Sequence, residues 1–132
     1  MTMHVLLVED NAKVSAQLEA ALTKAGFHVT TAINGLDGYN KAQKNAFDVC
    51  VVDHLMPLMD GRQLLKNLAG LHQYKPTYLV FMSTQEVKVV EQIPEVEFAD
   101  TIISKPISDD DFISVMTSLI DQSTLKHSTE VA

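Results

Sequence analysis

The stretch Asp48-Val49-Cys50-Val51-Val52-Asp53 decides the architecture. Its apolar run is unbroken between two carboxylates. A strand with one face in water alternates apolar and polar side chains, whereas a strand covered on both faces is apolar throughout. The segment therefore reads as an interior strand of a parallel sheet that ends in an acid. Two more segments share this character, His4–Val8 and Thr77–Met82. His28–Ala32 alternates more and Thr101–Ser104 is short, which places both nearer the sheet edges.

Helical patterns separate these segments. Val14, Leu18, Ala21, Leu22 and Ala25 fall at helical spacing, with Gly26 as a stop. Leu36, Tyr39, Ala42 and Gln43 form a weaker stripe. Leu64, Leu65, Leu68 and Leu71 form a third, opening after Gly61. Val87, Val90 and Ile93 predict a short fourth helix that Pro94 ends or kinks. Phe112, Val115, Met116, Leu119 and Ile120 form the fifth, with Ser108 as N-cap and Asp109, Asp110 and Asp111 at the positive end of its dipole. Strand and helix alternate five times, the pattern of a doubly wound α/β domain with right-handed crossovers. The domain is read over 1–122. From Ser123 periodicity is lost, and 123–132 reads as a frayed tail.

Ligands of doubly wound sheets bind at the carboxyl ends of the strands. Here the first strand ends in Glu9-Asp10, the third in Asp53, the fourth in Ser83-Thr84 and the fifth in Lys105-Pro106. Taken singly, each reads as an ordinary cap or turn residue. Together they bring three carboxylates, two hydroxyls and an ammonium to one edge. Carboxylates crowded into one pocket repel, and a hard divalent cation such as Mg²⁺ relieves the conflict. An aspartate beside a metal and a lysine is a credible nucleophile for phosphorus.

With these residues in place, the sequence resembles a response-regulator receiver domain of two-component signalling. The resemblance rests on Val5-Leu-Leu-Val-Glu-Asp-Asn11, Asp48-Val-Cys-Val-Val-Asp-His-Leu-Met-Pro-Leu-Met-Asp-Gly61, Leu79-Val-Phe-Met-Ser-Thr84 and Thr101-Ile-Ile-Ser-Lys-Pro106, and covers about Met3 to Gln122. It implies a five-stranded parallel sheet of order 2-1-3-4-5 with five helices on both faces, the flavodoxin-like arrangement of chemotaxis regulators. It further implies that Asp53 accepts the phosphoryl group. Asp10, Asp53 and the backbone carbonyl of Leu55 would hold Mg²⁺, with Glu9 reaching it directly or through water. Ser83 would move toward the phosphoryl group and Lys105 would pair with it, next to a cis Lys105-Pro106 bond. The residues two beyond Asp53 and Ser83, namely Leu55 and Gln85, would flank the approach of a hydrolytic water.

Four departures from the family pattern stand out, one of them Pro94 interrupting the fourth helix. Glu9-Asp10 replaces the commoner pair of aspartates. Ile102 occupies a switch position that is usually aromatic, which predicts a small conformational change there. Phe98-Ala99 replaces the usual Gly-Ala before the fifth strand.

The expected function is that of a stand-alone receiver. It would accept a phosphoryl group from a histidine kinase or phosphotransfer protein and signal to a protein partner. It would assist its own phosphorylation and slow dephosphorylation without being an enzyme. Passing the group on to another histidine, as a phosphorelay intermediate, is the main alternative. A docking pseudo-receiver is another, disfavoured by the intact Asp10, Asp53, Ser83 and Lys105. A small dehalogenase-like phosphatase would need a second Asp where Leu55 stands.

Composition is consistent with this reading. The 132 residues are 46% hydrophobic and carry a net charge of −7, which argues against binding the phosphate backbone of DNA. The lone Cys50 permits no internal disulfide and sits in an apolar strand as a packing residue. No apolar run reaches the ~18 residues of a membrane span, and no signal peptide is evident, so a cytoplasmic monomer or weak dimer is expected. The five histidines, His4, His28, His54, His72 and His127, form no zinc-binding spacing. His54 borders the acceptor.

Overall fold

The computed structural model describes residues 2–71 and 77–131, with side chains of the last helix through Asp121. Five strands, β1 (His4–Val8), β2 (His28–Ala32), β3 (Val49–Asp53), β4 (Tyr78–Ser83) and β5 (Thr101–Ser104), form one parallel sheet of order β2-β1-β3-β4-β5. The helices are α1 (Ala12–Lys24), α2 (Gly35–Lys44), α3 (Gly61–Leu71), α4 (Val87–Val90) and α5 (Asp109–Val131), with a 3₁₀ turn at Pro94–Phe98. No helix among the described residues is long and apolar enough to cross a membrane.

Strand character follows position. Every residue of β3 is buried, and β1 and β4 are nearly so, because helices cover both their faces. The edge strands β2 and β5 are only partly buried. Alternate side chains sort into two cores. Leu6, Val8, Cys50, Val52 and Phe81 pack with Leu64, Leu65 and Leu68 of α3. Val5, Leu7, Val51 and Met82 pack with Leu18 and Leu22 of α1 and with Phe112 and Met116 of α5. Burial pushes the Cys50 thiol up to about 12, so it stays protonated and serves as core.

Helix ends follow local chemistry. Asn11 Oδ1 accepts from the Val14 N–H at 3.1 Å and opens α1. Gly26, at φ 98°, closes it: its N–H donates to Thr23 O and the Phe27 N–H to Leu22 O. Ser108 Oγ accepts from the Asp111 N–H at 3.1 Å and caps α5.

One expectation needs correction. The fourth helix is a single turn of four residues that ends before Ile93, because Glu86 offers no capping side-chain bond and Pro94 starts a 3₁₀ turn. From Ser123 the segment continues α5 to Val131. It contains no Gly or Pro to stop it, although it lacks an apolar stripe. His72 lies outside the described residues.

Candidate functional site

The strands deliver the acidic residues, the lysine and the buried serine to the carboxyl edge of the sheet. There a cleft of about 680 Å³ is lined by Glu9, Asp10, Asp53, His54, Leu55 and Lys105, among others. Parallel pairing of β1 with β3 places Val8 beside Val52, so Glu9 and Asp53 emerge side by side. Oxygens of Glu9, Asp10 and Asp53 lie within 4.8 Å of one another. This is a hard, all-oxygen donor set, of the kind that fits a divalent cation with an affinity for carboxylates. Asp10 is exposed, while Glu9 and Asp53 are 2% and 6% exposed. Leu55 lines the same cleft with its side chain 56% exposed.

Lys105 ties the cluster together. Its Nζ donates to Glu9 Oε1 at 2.6 Å and to Asp53 Oδ1 at 2.9 Å. Partial burial opposes its charge, but the bonds to these two carboxylates outweigh that and hold its pKa above the ordinary lysine value. Glu9 is thus engaged at both oxygens, since Oε2 accepts from the Asn11 N–H at 3.1 Å. Glu9 thus belongs to the acidic cluster and at the same time reaches Lys105. The Lys105-Pro106 bond is cis, as expected.

Ser83 is 1% exposed, and its hydroxyl meets His54 and Gln85, which lie outside the Glu9–Asp53–Lys105 ion cluster. His54 Nδ1 lies 2.8 Å from Ser83 Oγ, and Oγ accepts from the Gln85 N–H at 3.0 Å. His54 is itself buried, its ring 5.1 Å from that of Phe81. Burial lowers its pKa; Asp60 opposes that shift and Arg62 adds to it. Sequence reasoning placed His54 at the border of the site but gave it no partner. The signal that could have found one is sheet register: β3 and β4 pair Asp53 with Met82, which sets His54 beside Ser83.

The backbone around Asp53 is tightly held. The His54 N–H donates to Met82 O, and the Gly61 N–H donates to His54 O at 2.7 Å. A Cβ on Gly61 would lie 2.3 Å from Asp53 O, so only glycine allows α3 to start this close to Asp53. Leu58, at φ 69° and well exposed, turns the intervening loop.

Residues 5–117 match the response regulator receiver domain family. The chain belongs to that family, a module of two-component signalling. The chemotaxis protein CheY4 of Vibrio cholerae is similar in structure, with a TM-score of 0.83 and 28% identity over 90% of this chain and 99% of that one. The probable transcriptional regulator ycf29 of Porphyra purpurea is 27% identical over 95% of this chain and 60% of its own length. The transcriptional regulatory protein CusR of Escherichia coli is 35% identical over 59% of this chain and 34% of its own. The chain therefore spans 60% or less of the length of these two relatives. Family membership agrees with the strand order 2-1-3-4-5 and with the carboxyl-edge placement of the acidic residues.

Proposed function

We propose that this receiver is phosphorylated on Asp53 by a phosphohistidine of a histidine kinase or phosphotransfer protein. The observation that carries the reading is the convergence of Lys105 Nζ, 2.9 Å from Asp53 Oδ1, with the Glu9 and Asp10 carboxylates in an open cleft. In the transfer, a carboxylate oxygen of Asp53 attacks phosphorus. The P–O bond forms as the P–N bond breaks, and the departing imidazole nitrogen keeps the electron pair.

Asp10 and Asp53, with Glu9 and the Leu55 carbonyl, would hold Mg²⁺, which supplies charge neutralisation for the incoming phosphoryl oxygens. Lys105 supplies a second positive charge. Its bonds to Glu9 and Asp53 keep it protonated and already in place, so little reorganisation is needed when a phosphoryl group arrives. The chain thus assists a single event on its own side chain without acting as an enzyme on a free substrate. The resulting conformational change is read by a protein partner.

Incubation with Mg²⁺ and acetyl phosphate should add one phosphoryl group by intact-mass spectrometry. Asp53→Asn should add none, because an amide is too weak a nucleophile for phosphorus. Equal labelling of wild type and variant would overturn the assignment.

A further inference from the structure

The Ser83 hydroxyl has one hydrogen and two lone pairs. The Gln85 N–H takes one lone pair at 3.0 Å. His54 Nδ1 lies on the hydroxyl at 2.8 Å. Both side chains are buried, so this bond does not compete with bulk water.

The sheet explains why it forms. Consecutive strand residues point to opposite faces. Met82 belongs to the α1–α5 core, and Phe81 to the α2–α3 core. Continuing that alternation sends Ser83 to the Phe81 side. The same alternation along β3 sends His54 there too, against the Phe81 ring, while Asp53 turns the other way toward Lys105. Asp53 and His54 are consecutive residues that flank the next strand end. A Ser83 hydroxyl that meets a phosphoryl oxygen on Asp53 must therefore leave His54.

We propose that His54 is a positioning residue whose Nδ1 accepts the Ser83 hydroxyl hydrogen in the resting protein, a latch that phosphorylation of Asp53 must break. This rests on the reading of Asp53 as phosphoacceptor. It makes the residue after the acceptor a brake on activation. Moving the hydroxyl strips a buried nitrogen of its partner, a penalty borne only by the activated form. An apolar side chain at position 54 would impose none.

Beryllofluoride with Mg²⁺ serves as the phosphoryl probe, with affinity measured by calorimetry. His54→Leu, similar in volume, should bind it about fivefold tighter than wild type, the worth of one ordinary hydrogen bond. His54→Asn, whose amide oxygen can stand near the Nδ1 position, should return affinity to the wild-type level. In a Ser83→Ala background His54→Leu should give no gain, since the bond is already absent. A ligand-free readout is the ¹⁵N spectrum of the His54 ring. Nδ1 should be the unprotonated nitrogen, and its resonance should shift in Ser83→Ala.

Unchanged affinity in His54→Leu, or an equal gain without the hydroxyl, would overturn the latch while leaving the phosphoacceptor reading intact. So would a protonated Nδ1 in the resting protein. Failure of the wild type to bind beryllofluoride, with a ring spectrum still coupled to Ser83, would overturn the phosphoacceptor reading and reduce the His54–Ser83 bond to a structural contact.

Discussion

Two adjacent passages leave the sheet beside the site, and they are built differently. The β3–α3 passage starts at Asp53. It is held by hydrogen bonds from His54 and Gly61, and α3 opens with a reciprocal cap. There the Gln63 N–H donates to Asp60 Oδ1 at 2.9 Å, and the Asp60 N–H to Gln63 Oε1 at 3.3 Å. Leu64, Leu65 and Leu68 then bury α3 completely on its inner face. The β4–α4 passage starts at Ser83. Its helix is one turn with no side-chain cap, and Val87 and Val89 are about half exposed. The Arg62–Glu95 pair at 3.0 Å ties the following 3₁₀ turn back to α3, but Arg62 is 44% exposed, so the pair adds little. Under the proposed phosphoacceptor reading, the contrast separates two tasks. A nucleophile benefits from a fixed backbone. A segment that must change shape is drawn from the less stable part of the fold.

The largest expected effect is the loss of phosphoryl uptake in Asp53→Asn. Because the passage around Asp53 is fixed by backbone bonds, the variant should keep wild-type stability within about 1 kcal/mol. Circular-dichroism melting checks this, and a collapse of the fold would show that the ion cluster, and not the backbone, holds the passage. Next comes hydrogen exchange. Amides of Leu64, Leu65 and Leu68 should exchange more than about a hundredfold slower than those of Val89 and Val90. Equal protection would erase the contrast between the two passages.

Two glycines of α3 sharpen it further. A methyl on Gly61 would meet backbone at Asp53 and His54, whereas one on Gly70 meets nothing within 4 Å. Alanine favours a helix by up to about 1 kcal/mol over glycine. Gly70→Ala should therefore stabilise by roughly 0.5 kcal/mol. Gly61→Ala should destabilise by about 2 kcal/mol despite that gain, because the Asp53 and His54 atoms it would meet are backbone and cannot rotate away. Chemical denaturation of both variants reads the difference directly. Stabilisation by both would mean that the close approach at Gly61 relaxes freely.

How far the sequence foretold this depends on the range of each cause. Unbroken apolar runs and helical stripes are local, so β1, β3 and the α1, α3 and α5 stripes could be read from neighbouring residues alone. The acids at the strand ends became a site once the doubly wound order brought those ends together. The single turn of α4 was harder. Val87, Val90 and Ile93 are spaced for a longer helix, and what shortens it is a missing cap together with Pro94. The Glu9–Lys105 bond joins residues 96 positions apart, and it depends on the reach of a glutamate in three dimensions. The His54–Ser83 bond needed the register of β3 against β4, which composition and spacing do not supply.

The smallest expected effect concerns Leu55, on the rigid passage yet open to solvent. Its side chain is 56% exposed and lines the cleft beside Asp53, so a polar replacement buries nothing and leaves the neighbouring backbone bonds in place. A leucine cannot hydrogen-bond a water. An asparagine there could orient one toward a phosphoryl group on Asp53, and positioning is the main lever in phosphoryl transfer. Leu55→Asn should therefore shorten the phosphorylated lifetime by about threefold, under ~1 kcal/mol of barrier. The effect stays small because an amide orients a water without taking its proton. Phosphate release from labelled wild type and variant measures it. A lifetime equal to or longer than wild type would show that water reaches the phosphorus along a path Leu55 does not guard, one that opens from the looser β4–α4 side.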